Sequence, residues 1–219
     1  MTTRETQHRI KQAAIRLFNQ YGTNKVSTNT IAEHCEISKG NLHYHFKNKK
    51  EIIQAIYTDI AAEIECSWYG DEKQPTVTHM AEMFVRQLDL IWRYRFFYRE
   101  MVSLIHDDPV LRMTVREKRE KRIEEVIRFF EGLVDADVLV KPRSTESLHY
   151  LVIMTWIFSD NWLNYSELQA SEEDSEVVQL GYDFLIEMLY PYLTEKAKTE
   201  IYESYAAINR GIKTGDKVE

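Results

Sequence analysis

Residues that break or turn a chain are scarce here: four prolines and seven glycines among 219 residues, of which 44% are hydrophobic. So few turn formers exclude an all-β fold and leave helices joined by short connections around a real core. Cysteine is nearly absent as well. Cys35 and Cys66 lack the paired spacing of a metal site or a disulfide framework, and read as ordinary core thiols of a reducing compartment. No long hydrophobic run is present. The longest, Tyr150 to Phe158, stops at Ser159-Asp160, well short of the ~20 residues a bilayer requires. Residues 1–9 are polar, without the apolar core of a signal peptide, so a cytoplasmic protein with no membrane partner is expected. Also missing are G-x-S-x-G, a dinucleotide fingerprint, a P-loop and H-E-x-x-H, which leaves no case for an enzyme and none for a cofactor.

The charge is uneven. Residues 1–50 hold nine Lys and Arg against three Asp and Glu, a balance of +6, leaving −13 for the remainder of a chain whose total is −7. A basic front on an acidic body suits a module that binds a polyanion attached to one that does not, because the local field governs association.

The stretch from Ser27 to Lys50 reads as two short helices joined by a tight turn. Ser27 or Thr28 can cap the first, with Ile31, Ala32 and Cys35 on one face. Ser38 is placed to cap the second, whose Leu42 and Phe46 sit four apart and point inward. Lys39, Asn41, His43, Tyr44 and His45 then point elsewhere, and their donors, amide, imidazoles and phenol suit base edges and phosphates. His43 and His45, two apart on a helix, face different sides, which argues against a metal site.

The run Gly22, Thr28, Ile31-Ala32, Ile37-Ser38-Lys39-Gly40-Asn41-Leu42, His45-Phe46 and Lys49 resembles the helix-turn-helix of the tetracycline-repressor (TetR) family of bacterial transcription regulators, with matching spacing. The resemblance is specific over about residues 5–65. It departs at Glu36, where the family has Gly because positive φ is wanted, and at His43, where the family favours Tyr. It implies a DNA-binding surface of Thr28, Asn29, Ser38, Lys39, Gly40, Asn41, His43, Tyr44, His45 and Lys49. Lys39 and Asn41 are expected at base edges; Thr28, Asn29, Tyr44, His45 and Lys49 are expected mostly on phosphates.

The expected architecture is all-α: a helix-turn-helix domain over 1–50, backed by an amphipathic helix over 6–21 that ends at Gly22, then a helical effector-binding and dimerisation domain over 51–219. A fourth helix, about 49–68, connects the two. In the body, Asp108 is a candidate N-cap with Pro109 in the first turn, Arg116 to Arg122 reads as a solvated charged face, and Ser144 to Ser147 opens a helix. Helices around Leu148–Leu163 and Val177–Tyr192 are apolar on two sides and must be covered twice. Pairing with a second copy, through Leu151, Phe158, Gly181, Phe184, Leu185 and Met188, or cover by the terminal helix, would satisfy them. The resemblance favours a homodimer.

A dimer presents two helices to successive major grooves, so the DNA operator should be a pseudo-palindrome. A repressor also needs a switch. Trp92, Phe96, Phe97, Met101, His106, Phe130, Trp156, Asn161 and Trp162 are candidates for a pocket that takes a hydrophobic or amphipathic small-molecule effector. The competing expectation is a ligand-independent, nucleoid-associated DNA-binding protein of the same architecture.

Overall fold

The computed structural model of the chain describes residues 2–67, 75–168 and 174–214. The side chain of Cys66 lies outside what is described. Among the described residues there are ten α-helices and no extended strand: α1 (Thr3–Tyr21), α2 (Thr28–His34), α3 (Lys39–His45), α4 (Lys49–Ser67), α5 (Val77–Arg93), α6 (Arg95–Asp107), α7 (Pro109–Asp135), α8 (Thr145–Leu168), α9 (Asp174–Leu189) and α10 (Glu195–Thr214). They form two compact units, one of Met1–Ile64 with Arg93–Lys118, the other of Glu65–Trp92 with Arg119–Glu219.

The first unit is built on α1. Ile10, Ala13, Ala14, Leu17 and Phe18 recur at helical spacing and are buried. A capping box starts the helix: the Thr2 hydroxyl accepts from Glu5 N–H and the Glu5 carboxylate accepts from Thr2 N–H, which satisfies donors that would otherwise lack partners. Gly22, at φ 79°, ends it, its N–H reaching Phe18 O at 2.9 Å. Against α1 pack α2 and α3, which bury Ile31, Ala32 and Leu42, and the same unit buries Ile52, Ile56 and Ile60 of α4.

Helix α6 belongs to the same unit. Phe96 meets Phe18 at 5.1 Å between ring centroids, and Phe97 stacks on Tyr57 at 5.0 Å. Both aromatics, candidates for the effector pocket, are buried in the interior of the first unit. Asn19 secures them. Its side chain donates to Arg93 O at 2.8 Å and accepts from Phe96 N–H at 3.0 Å, serving both sides of the α5–α6 break with one amide. Asp108 caps α7 as the sequence indicates, its Oδ1 accepting from Val110 and Leu111 N–H at 3.0 and 3.1 Å.

In the second unit α8 and α9 pack closely. A Cβ on Gly181 would lie 2.8 Å from the Trp162 ring, so the glycine is there for an indole of its own chain. Tyr182 of α9 stacks on Tyr205 of α10 at 3.6 Å, and α10 buries Ala197 and Ile201. The terminal helix thus covers one face of α9. Helix α8 begins at a Ser144 cap, which accepts from Ser147 N–H at 3.2 Å. The run expected to be solvated is not wholly so. Arg122 is buried against Glu125 at 2.7 Å, and Arg119 reaches across to Asp160 at 2.8 Å while lying over the Trp156 ring. Burial pushes the Asp160 carboxyl upward and the Arg119 guanidinium opposes it.

Candidate nucleic-acid interface

The turn between α2 and α3 sets the direction of α3. Ser27 caps α2 by accepting from Thr30 N–H at 3.1 Å, and the helix ends when Glu36 turns into the left-handed region at φ 54°. Two reversed bonds close the turn: Glu36 N–H to Glu33 O and Ile37 N–H to Ala32 O, both 3.0 Å. This is the arrangement glycine usually terminates, so the positive φ expected at Glu36 is present although the residue has a side chain. Ser38 then caps α3, accepting from Asn41 N–H at 3.1 Å. Leu42 and Phe46 are buried, which fixes the rotation of α3 and leaves its other positions outward.

Of the ten residues assigned to DNA from sequence, Asn29, Ser38, Lys39, Gly40, Asn41, His43 and Tyr44 are exposed. Tyr44 is 80% exposed, too much for a core phenol. Thr28 and His45 are half-buried. The His43 ring donates through Nδ1 to Lys47 O at 3.1 Å, since a carbonyl only accepts; this turns Nε2 outward. At Gly40 an added Cβ would meet only Ser38 Oγ, at 3.9 Å, so packing inside the chain does not require glycine.

Lys49 is the exception. Its ammonium faces inward and donates to Thr23 O at 2.5 Å and Val26 O at 3.1 Å, fastening the α1–α2 connection. A phosphate contact by Lys49 would compete with these bonds within the fold. Arg9 is similarly engaged with Cys35 O at 2.7 Å. Cys35 is a buried thiol raised by desolvation, with Arg9 and Arg16 opposing, as an ordinary core cysteine should be.

The nine candidate effector residues divide between the two units. Phe96, Phe97, Met101 and His106 fall in the first unit, and Trp92, Phe130, Trp156, Asn161 and Trp162 in the second. His106 and Asn161 are exposed, and the Asn161 amide donates back to Ile157 O at 2.7 Å. Among the six dimer candidates, Leu151, Gly181 and Leu185 are buried within one chain, whereas Phe158, Phe184 and Met188 are half-buried. What sequence reading missed is a stripe on α8. Tyr150, Ile153, Met154, Ile157 and Tyr165 are exposed by 64, 38, 43, 58 and 51%, at spacings of three, one, three and eight that keep them on one face. Their apolar character was legible; their orientation depended on which side Trp162 and Leu151 took.

Comparison with known proteins agrees with this geometry. The family described as "Bacterial regulatory proteins, tetR family" matches residues 10–56, and that described as "Bacterial transcriptional repressor" matches residues 67–201. The chain is 21% identical over 152 residues to the uncharacterized HTH-type transcriptional regulator YhgD of Bacillus subtilis (strain 168), covering 68% of this chain and 78% of that one. It is 27% identical over 129 residues to the HTH-type transcriptional regulator AcrR of Shigella flexneri, covering 56% and 48%. The crystal structure of a TetR-family transcriptional regulator from Marinobacter aquaeolei VT8 superposes with a TM-score of 0.83 at 27% identity, covering 94% of this chain and 98% of the other. Among the described residues no helix is long and apolar enough to cross a membrane.

Proposed function

Because the chain belongs to the tetracycline-repressor family of DNA-binding transcription regulators, we propose that it is a cytoplasmic repressor that binds a pseudo-palindromic operator as a homodimer and is released by a hydrophobic or amphipathic small molecule. The observation that carries the reading is the outward face of α3: Lys39, Asn41, His43 and Tyr44 stand exposed on a helix whose cap and two buried anchors fix its orientation. A seven-residue helix has little stability of its own, so a chain that holds one rigidly with its polar side outward uses it for contact. An ammonium at Lys39 suits guanine O6 and N7, and the Asn41 amide suits adenine N6 and N7.

Dimerisation is supported by the α8 stripe, five large side chains exposed on one helix face, a patch that single soluble chains seldom leave open. A two-fold pairing there would bring Phe184, which already meets Phe158 and Tyr165, to the edge of the seam. For the effector, the aromatic candidates of the second unit, Trp92, Phe130, Trp156 and Trp162, remain the proposal. Its half-buried Arg119 and buried Arg122 already have carboxylate partners, which favours an apolar over a multiply anionic ligand. Sequencing genomic fragments retained by the purified protein tests the whole reading: enrichment of one inverted repeat supports it, and indifferent retention of all fragments supports a nucleoid-associated role instead.

A further inference from the structure

In the second unit a groove of about 340 Å³ opens between the start of α8, the chain that leads into it from α7, and the turn that follows α9. Its floor is Leu139, Leu148 and Leu151, all buried, and its walls are Val140, Tyr150, Met154 and Tyr192, all exposed. Backbone bonds hold the walls in place. Val140 N–H donates to Tyr192 O at 2.8 Å, Thr194 N–H to Val138 O at 3.0 Å, and the Thr194 hydroxyl to Asp137 O at 2.8 Å.

Two cations line it as well. Lys141 and Arg143 are exposed and meet no carboxylate among the described residues. Elsewhere in the unit cations find acids, as Arg119 does at Asp160 and Arg122 at Glu125. No acid lines the groove. Glu146, close by in sequence, has its carboxyl held below the usual range by its own backbone N–H and by the Ser144 hydroxyl, so it serves the start of α8. Ser147 and Leu148 bring the first turn of α8 to the groove, where the field of the helix favours negative charge.

An apolar floor and apolar walls, with two cations and no acid, make the composition of a small-molecule site, in which a few polar groups orient a mostly apolar occupant. We infer that the groove binds an apolar molecule carrying one anionic head: the body lies on Leu139, Leu148 and Leu151 between Tyr150 and Tyr192, and the head meets Lys141 and Arg143. A planar guanidinium takes a carboxylate through two parallel N–H bonds, so such a molecule is held better than a neutral one of the same shape. The groove contains none of Trp92, Phe130, Trp156 and Trp162, which makes it a site separate from the proposed effector pocket and independent of operator binding. Tyr150 and Met154 also begin the α8 stripe, so a second copy is the competing occupant. Pairing over the groove would bury Lys141 and Arg143 with no acid of the groove to meet them, a cost that an anionic head removes.

The test is calorimetric titration of the full chain with 2-naphthoate and with 2-naphthamide, its neutral counterpart of similar shape. Wild type is expected to bind 2-naphthoate more tightly than 2-naphthamide. Replacing both cations, Lys141→Gln with Arg143→Gln, should weaken 2-naphthoate at least about tenfold and leave 2-naphthamide unchanged. The Tm should stay as in wild type, because neither side chain is bonded within the described fold. Arg128→Gln, which removes a charge from an exposed position outside the groove, should alter neither affinity. Tyr192→Ala removes a wall and should weaken both molecules by a similar factor. Equal affinity of wild type for the two molecules, no binding of 2-naphthoate at millimolar concentration, or the same affinity in the double variant as in Arg128→Gln overturns the proposal. Binding by single chains of Ile157→Asp but not by wild type overturns it too, by showing that a second copy covers the groove.

Discussion

Lys49 and Glu100 grip Thr23 from opposite sides. The Lys49 ammonium donates to Thr23 O at 2.5 Å and to Val26 O at 3.1 Å, while the Glu100 carboxylate accepts Thr23 N–H at 2.9 Å and a short bond from the Thr23 hydroxyl. The connection between α1 and α2 thereby has its acceptors and its donors met by charged groups from α4 and α6. Such bonds are stronger than neutral ones, and here they fix the entry of the chain into the helix-turn-helix.

Lys49→Ala should therefore weaken the fold more than DNA contact. Loss of an ammonium holding two carbonyls is expected to cost about 1–2 kcal/mol of stability, read by urea unfolding of the full chain. The slope of log affinity against log salt should stay as in wild type. A slope lower by one ion, with stability unchanged, would put the ammonium on a phosphate and refute the role given to it here.

Glu36 offers a gain. At φ 54° an L-residue is strained by roughly 1–2 kcal/mol, offset in part by the chain freedom that glycine loses on folding. Glu36→Gly should stabilise the chain by about 0.5–1 kcal/mol, a rise in Tm of a few degrees at this size. An unchanged or lower Tm would mean the Glu36 side chain makes a compensating contact.

Gly40 separates fold from function. With only an ordinary contact to Ser38 Oγ at its missing Cβ, Gly40→Ala should raise helix stability by roughly 0.5–1 kcal/mol and yet weaken binding to operator and random duplex, since DNA would have to approach this part of α3 closely. Stability and affinity that both rise would show that the backbone of α3 is not approached there.

The parts of the fold legible in the sequence are those governed by local rules. Gly22, Ser38, Asp108 and Ser144 act as caps because a cap needs only its own few neighbours, and the positive φ at Glu36 follows from turn geometry. Packing partners were not legible. Phe96 and Phe97 have the apolar spacing of any buried helix, and only the three-dimensional path of α6 shows that they meet Phe18 and Tyr57. Gly181 marks a close helix approach in either setting, and nothing in its neighbours says that the approaching group is Trp162 of the same chain. Arg119 and Arg122 alternate with acids as a solvated run does; their engagement within the fold depends on Asp160 lying 41 positions beyond Arg119 and on Glu125 one turn beyond Arg122. The outward residues of α3 were legible because two apolar positions four apart fix the face of so short a helix.

Asn41→Ala tests the base-reading role directly. The side chain is exposed on α3 and its backbone N–H, not its amide, serves the Ser38 cap, so truncation should leave the fold unchanged. Affinity for the operator should fall by about 1–3 kcal/mol at the base pair it reads, with random-sequence binding nearly unaltered. Uniform loss across sequences, measured by competition with single-base operator variants, would reassign Asn41 to the backbone.

Ile157 tests the dimer. It is 58% exposed at the middle of the α8 stripe, and a two-fold interface meets every substitution twice. Burial of an Ile side chain contributes about 1.5–3 kcal/mol, so removing two of them and bringing two carboxylates toward each other in Ile157→Asp should shift the dimer by several kcal/mol toward single chains. The protomer itself should be spared, because the position faces solvent within one chain. Sedimentation at micromolar concentration is expected to give a 26.0 kDa species with helix content unchanged. Operator affinity should fall far more than affinity for a half-site, since only a dimer gains from occupying both halves. If the variant sediments as wild type does, the stripe is not the seam, and the half-buried Phe158, Phe184 and Met188 would then have to be explained by a different pairing.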